Sequence, residues 1–265
     1  MIISILANGL MPTKSEVLDY LNAAEMVVCC DGALKNYLSW RLSHASAPSH
    51  RLAVIGDGDS LSPALLKEAQ DNGITLEHHH IAEQESNDLS KAVRFAMDIV
   101  KSSKLNVKKG EPSQDCSQKD SGDTSGSKRN VPLVRDSFLT LKAEPSTQVC
   151  ILGATGLRED HTLGNISLLA HYMACYPDIE FVMRSDFNTF YPMQGERTFA
   201  SQRGQQVSLF SLTPEVPVSV SGLRYPIHNR PLRSWWEGTL NEALADTFTV
   251  QGGTMIVAVE LRVES

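Results

Sequence analysis

Residues 26–30, Met-Val-Val-Cys-Cys, and 52–55, Leu-Ala-Val-Ile, are apolar at every position. A strand with one wet face alternates polar and apolar residues. A run this uniform belongs in a strand covered on both faces. Short strand-like runs at 2–7, 26–30, 52–55 and 74–77 alternate with helix-like segments near 14–24, 33–42, 62–72 and 87–100. That rhythm predicts a Rossmann-like α/β domain built on a parallel sheet. It resumes at 148–152, followed by a Gly-rich loop and a helix from about 160 to 175. Leu163, Ile166, Leu169, Ala170 and Met173 form the apolar face of that helix, and a strand at 179–183 follows.

Two regions depart from this rhythm. Residues 101–146 carry nine Lys/Arg against six Asp/Glu amid Ser, Gly and Gln, a composition that builds no packed core. They read as a mobile surface insertion, with a short strand or turn at 131–141. After about 186, apolar and polar residues alternate in short strands, at 196–200, 206–212, 217–221, 247–251 and 255–263, between Gly, Pro and Asn turns. This predicts a C-terminal antiparallel β-sandwich or small barrel. The expected domains are therefore 1–185 and 186–265.

Net charge narrows the function. At −7 over 265 residues, the chain is a poor candidate for nucleic-acid binding, which relies on neutralising phosphates. Cys29, Cys30, Cys116, Cys150 and Cys175 show no CxxC spacing. Buried thiols in a reducing cytoplasm are expected rather than disulfides or a zinc site. The apolar stretch at 2–7 is too short for a signal peptide, and no window reaches the length of a membrane span.

In an open parallel sheet, ligands bind beyond the carboxyl ends of the strands. Reading off those ends gives Asn8-Gly9, then Asp31-Gly32, then Gly56-Asp57-Gly58-Asp59, then Gln84 and Asp88, then Gly153-Ala154-Thr155-Gly156 through Arg158, Asp160 and His161. Several carboxylates converge on one rim with an arginine and a histidine. Asp57 and Asp59 form either a polar turn or a hard-oxygen metal site suited to magnesium and polyphosphate. Asp88 either complements the dipole of the next helix, with Ser86 or Asn87 as cap, or joins that metal site. Asp31 has the same choice. Backbone N–H groups of the Gly153–Gly156 loop can cradle phosphate, although the loop lacks the Lys-Ser/Thr of a Walker A motif. Arg158 can neutralise phosphate. His161 and Asn165 share a helical face. His78-His79-His80 alternates in direction along an extended segment and reads as surface. Trp235 and Trp236, adjacent in the β region, face opposite sides, which leaves one free to stack on a flat ring.

Taken together, these segments resemble the thiamine pyrophosphokinase family. The match runs through Ile5–Gly9, Cys30–Ala33, Ile55–Ser60, Gln84 with Asn87-Asp88-Leu89, Gly153–Asn165, Ser208–Phe210, Ser221–Pro226 and Gly238–Glu242, in the family's order. It covers nearly the whole chain outside 101–146. The resemblance implies magnesium-dependent transfer of pyrophosphate from ATP to the hydroxyl of thiamine, giving thiamine diphosphate and AMP. It also implies a homodimer with active sites at the subunit interface. Asp31, Asp57, Asp59 and Asp88 would form the magnesium–ATP cluster. Asn8, Gly9, Gln84, Gly156, Arg158, Asp160 and His161 would surround the triphosphate, and Thr239 and Asn241 would contact thiamine. Asp59 or Asp88 would accept the hydroxyl proton, and the sequence does not choose between them.

Three positions depart from the family pattern. Ala33 replaces a usual glycine, and Leu240 stands where a serine commonly precedes the asparagine. The late tryptophan that stacks on thiamine in some members is missing after Arg262, a role expected instead of Trp235 or Trp236. The rival readings are a diphosphokinase for a pterin-like alcohol, a non-catalytic sensor of nucleotide or thiamine diphosphate, and a metal-dependent phosphohydrolase.

Overall fold

The computed structural model describes residues 1–44, 50–83, 85–109 and 147–262. Gln84, Cys116 and the segment expected at 131–141 lie outside the described residues. The chain divides into a compact unit of Met1–Ala96 with Pro145–Ser265 and a second unit, Met97–Glu144. Only a helical stretch of the second is described.

Among the described residues, six strands with five helices between them occupy the first part of the chain. They run β1 (Ile2–Leu6), α1 (Ser15–Asn22), β2 (Met26–Cys30), α2 (Ala33–Ser43), β3 (Arg51–Gly56), α3 (Pro63–Asp71), β4 (Leu76–His80), α4 (Asp88–Lys109), β5 (Gln148–Leu152), α5 (Glu159–Cys175) and β6 (Glu180–Arg184). All six strands are parallel, in the order β4-β3-β2-β1-β5-β6. The uniform apolar runs are explained by burial on both faces. Leu6, Val27, Cys29, Val54, Cys150 and Leu152 pack with Val17, Leu18 and Leu21 of α1 and Leu34, Tyr37 and Leu38 of α2. The alternate residues Ile3, Ile5, Val28, Ile55, Val149 and Ile151 are wholly buried too, on the opposite face. Each such side chain contributes about 1.5–3 kcal/mol by leaving water.

The fourth strand sits later than its sequence pattern predicts, at 76–80 rather than 74–77. It is the edge of the sheet and pairs with β3 alone, from Leu76 opposite Leu52 to His80 opposite Gly56. Main-chain pairing sets its position, so an edge strand can carry the three histidines. His79 packs on Phe95 with ring centroids 4.4 Å apart.

From β6 the same sheet continues antiparallel. Its strands are β7 (Asn188–Ala200), β8 (Gln206–Ser211), β9 (Pro217–Ser221), β10 (Ile227–Pro231), β11 (Asn241–Glu242) and β12 (Thr247–Glu260), with a 3-10 turn at Trp235–Gly238. The strands expected at 247–251 and 255–263 are one. Gly252-Gly253 shifts the register of β12 against β7 without ending it. A side chain at Gly253 would strike Thr213 Oγ1, so the bulge requires glycine there. Before the bulge β12 pairs with β9, and after it with β8. The antiparallel strands thereby enclose a second core of Val207, Leu209, Val218, Val220, Phe248, Val250 and Val257. Among the described residues no helix is long and apolar enough to cross a membrane.

One carboxylate ties the start of the chain to the turn between β6 and β7. The N-cap residue of α1, Lys14, makes no side-chain cap. Asp186, 172 residues away, instead fixes the two residues that lead into the helix, accepting from Lys14 N at 3.0 Å, Thr13 N at 2.9 Å and Thr13 Oγ1 at 2.7 Å. Burial pushes the Asp186 carboxyl up, but those donors outweigh it and hold the group below its ordinary 3.8. The stabilisation is therefore complete above that value and lost as pH falls through the lower, folded-state one. Asp186→Ala is expected to cost about 1–2 kcal/mol at pH 7. In urea denaturation the gap to wild type should persist to about pH 4 and shrink below it.

Candidate active site

The strand order reverses between β1 and β5, because the chain moves from β1 outward to β4 and then returns to the other side. Loops leaving β1 and β5 must diverge there, which opens a crevice at their carboxyl ends. The cleft measures about 650 Å³, and its walls include Asn8, Gly9, Asp57, Asp88, Arg158 and His161.

Close packing of strand ends explains why glycines accompany the polar residues. The Asn8 side chain lies over Gly32, where any Cβ would collide with its amide. One strand further, Asp31 lies over Gly56. A Cβ at Gly56 would come within 2.5 Å of Asp31 Cβ and 3.0 Å of Asp31 Cγ. Each polar side chain thus leans across the glycine of the neighbouring strand, and this brings Asp31 to the Asp57–Asp59 loop. Gly58, at φ +81°, turns that loop.

Asp31, Asp57 and Asp59 each offer a carboxylate oxygen, all within 4.8 Å of one another. Asp31 is 2% exposed. Its Oδ2 accepts from Ser60 N at 3.1 Å, and its Oδ1 is buried with no hydrogen-bond partner among the described residues. Burial raises the Asp31 pKa. The Ser60 N–H opposes that rise, while Asp59, Asp88 and Asp57 add to it. A buried carboxylate facing two others needs a positive partner to stay ionised. An all-oxygen donor set with one atom left open fits a hard divalent cation such as magnesium.

Asp88 starts α4 and lines the same cleft, outside that group of three. Asn87 caps the helix, its Oδ1 accepting from Ser90 N at 2.9 Å, so capping does not occupy Asp88. Lys91 Nζ donates to Asp88 Oδ1 at 3.1 Å. Lys91 also lines the cleft and escaped the sequence reading. Its spacing of three from Asp88 was visible as a helical pair, but its burial follows from packing.

Across the cleft, Arg158 forks onto Asp160 through Nε at 3.1 Å and an Nη at 2.6 Å. Both groups are exposed, and each favours the other's charged form: Asp160 is held low and Arg158 high. Asn165 Nδ2 donates to Ala154 O at 2.9 Å and pins the Gly153–Gly156 loop. Gly156, at φ +90°, packs against the side chain of Leu10.

Residues expected to meet thiamine form a separate group in the antiparallel region, and none of them lines this cleft. Trp235 sets its ring edge-on to Phe210, 5.7 Å between centroids. Trp236 is 75% exposed. Thr239 Oγ1 donates to Trp236 O at 2.9 Å. Asn241 is 4% exposed, and its amide is committed to backbone. Its Nδ2 donates to Tyr225 O at 2.7 Å, while its Oδ1 accepts from Tyr225 N at 3.0 Å and Glu242 N at 2.9 Å. Leu240 beside it is 75% exposed and held at φ +58°.

Comparison with known proteins gives a family match over each part of the chain. Residues 17–182 match the family model described as "Thiamin pyrophosphokinase, catalytic domain", and residues 188–257 match "Thiamin pyrophosphokinase, substrate-binding domain". No curated protein sequence matches. Among solved structures, the fold is similar to thiamin pyrophosphokinase from Candida albicans, with TM-score 0.68 at 14% identity over 98% of this chain and 90% of that one. The yeast enzyme gives TM-score 0.69 at 16% identity over 98% and 86%. That of Bacillus subtilis gives 0.63 at 17% identity over 98% and 99%. At such identities the structural likeness concerns the fold, whereas the two family models together run from 17 to 257. This chain belongs to the thiamin pyrophosphokinase family.

Proposed function

We propose that this chain transfers the pyrophosphoryl group of ATP to the hydroxyethyl group of thiamine. The observation that carries this reading is the Asp31–Asp57–Asp59 group at the carboxyl ends of β2 and β3, with Arg158 across the cleft, in a chain of this family. The acceptor oxygen bonds to the β-phosphorus while the bond from that phosphorus to the α–β bridging oxygen breaks. AMP leaves with the electron pair, and a rim carboxylate, Asp59 or Asp88, takes the hydroxyl proton.

Asp31, Asp57 and Asp59 would hold magnesium, which supplies positive charge to the phosphate oxygens when bound. Arg158, kept in place by Asp160, presents its guanidinium at the cleft mouth to the triphosphate. Main-chain N–H groups of the Gly153–Gly156 loop and the start of α5 face the same anion. Asn8, Gly9 and His161 shape the cleft walls, and positioning does much of the catalytic work.

In this reading residues 1–185 bind ATP and residues 186–265 bind thiamine. Exposed Trp236 and Leu240 are available to a flat ring, and Asn241 fixes the segment that displays them. Because that segment does not line the cleft of its own chain, we infer a homodimer in which it meets the partner's cleft. Free, buried Cys29, Cys30 and Cys150 suit a reducing cytoplasm.

Incubation with ATP, magnesium and thiamine should yield AMP and thiamine diphosphate in equal amounts. Turnover of a pterin alcohol instead, or phosphate released without any acceptor, would replace this reading. Asp57→Asn should lower kcat by about 100-fold or more with an unchanged circular dichroism spectrum. Gly56→Ala should displace Asp31 without touching any ligand itself. We expect a rise of about tenfold in the magnesium concentration needed for half-maximal activity, read from a magnesium titration.

A further inference from the structure

Lys91 is the only basic side chain that is fully buried among the described residues. It is 2% exposed, yet it forms part of the wall of the cleft. An ammonium in such a place is costly to desolvate unless anions surround it. Lys91 carries three N–H donors. Asp88 accepts from one at 3.1 Å, the only acceptor it has among the described residues. Among the described residues no acceptor takes its other two donors, which suits them to an anion that enters the cleft.

The surrounding charges define that ligand. Asp31, Asp57 and Asp59 form the negative side of the site and suit a metal. Arg158 is exposed and already forked onto Asp160. Lys91 is thus the cation on the interior wall, where weak screening strengthens its attraction for an anion. A flexible point charge with rotatable donors suits phosphate oxygens. Asp88 is partly exposed, so it can anchor the ammonium from one side and still be hydrated.

We propose that Lys91 is a catalytic residue that donates to the phosphate oxygens of the transferred pyrophosphoryl group, with Asp88 holding its ammonium in place. The proposal rests on the pyrophosphoryl-transfer reading above and adds to it the residue that meets the charge developing as the β-phosphorus changes partners. No further co-reactant enters the step.

The test uses Lys91→Met and Lys91→Gln in the full-length chain, with inorganic tripolyphosphate and magnesium as the probe. Both variants should keep a melting temperature near or above that of wild type, because a buried charge is removed and Asp88 can be hydrated. Calorimetry should show at least tenfold weaker tripolyphosphate binding. In the ATP and thiamine assay kcat should fall about 100-fold with little change in the KM for thiamine, and Lys91→Arg should recover part of both losses. Wild-type tripolyphosphate affinity and kcat in Lys91→Met or Lys91→Gln would overturn the proposal. So would a steep drop in melting temperature with affinity per folded molecule unchanged, the mark of a purely structural ion pair. If wild type binds tripolyphosphate through Lys91 but makes no thiamine diphosphate, the acceptor assignment fails while the anion site stands.

Discussion

The burial of Asp31 is the constraint on which the site depends. A carboxylate with 2% exposure and one oxygen unpartnered among the described residues is stable as an anion only where its surroundings supply positive charge. The chain builds that condition from the sheet outward. The apolar runs of β2 and β3 bring Asp31 and Asp57 to the same edge, because parallel strands in register end together. Glycine at position 56 then lets the Asp31 side chain lie across the neighbouring strand end instead of turning to solvent. The acidic group is a consequence of strand packing at the ends of β2 and β3, and the reversal at β1 and β5 opens the crevice beside it.

Much of this was legible in the sequence for a physical reason. A doubly covered strand cannot accept polar residues in its middle, so its end is marked where the first Asp or Asn appears. That rule located Asn8, Asp31, Asp57 and Asp59 correctly at strand ends. It did less well at β4, where Leu-Glu-His-His-His carries no apolar signature because an edge strand is held by main-chain pairing. The single long β12 was divided at Gly252-Gly253, since a glycine pair reads as a turn until the surrounding side chains show a bulge. Lys91 illustrates a different limit. Its pairing with Asp88 is a helical spacing, but the fact that it is buried beside a cleft is tertiary information.

The acidic wall and the two cations do different physical jobs. Arg158 is fixed by a bidentate bond to Asp160 in open solvent, where charge interactions are weak and screened. Such a pair is better suited to orienting a guanidinium than to stabilising the fold. Lys91 is 2% exposed, and the same charge there is screened less and acts more strongly. An anion drawn in at the mouth by Arg158 and held inside by Lys91 would also meet the three carboxylates through a metal. Among the described residues Lys91 is the one buried cation in a cleft otherwise rich in carboxylates, and that limits the ways a polyphosphate can lie in it.

The antiparallel region solves the complementary problem of keeping apolar side chains in water. Trp236 and Leu240 each gain nothing from the fold by being exposed, and Leu240 occupies a left-handed conformation that disfavours a side chain by about 1–2 kcal/mol. That arrangement persists because its neighbours leave the backbone little choice. Ser234 and Glu237 cap the 3-10 turn reciprocally. Leu240 N donates to Ser208 Oγ at 3.2 Å, and Asn241 grips Tyr225 in both directions. A buried amide with its bonds committed to backbone is a strut, and the residues it displays are the ones left to meet a ligand. On the proposed reading Asn241 acts indirectly, by setting where Thr239 and Leu240 stand.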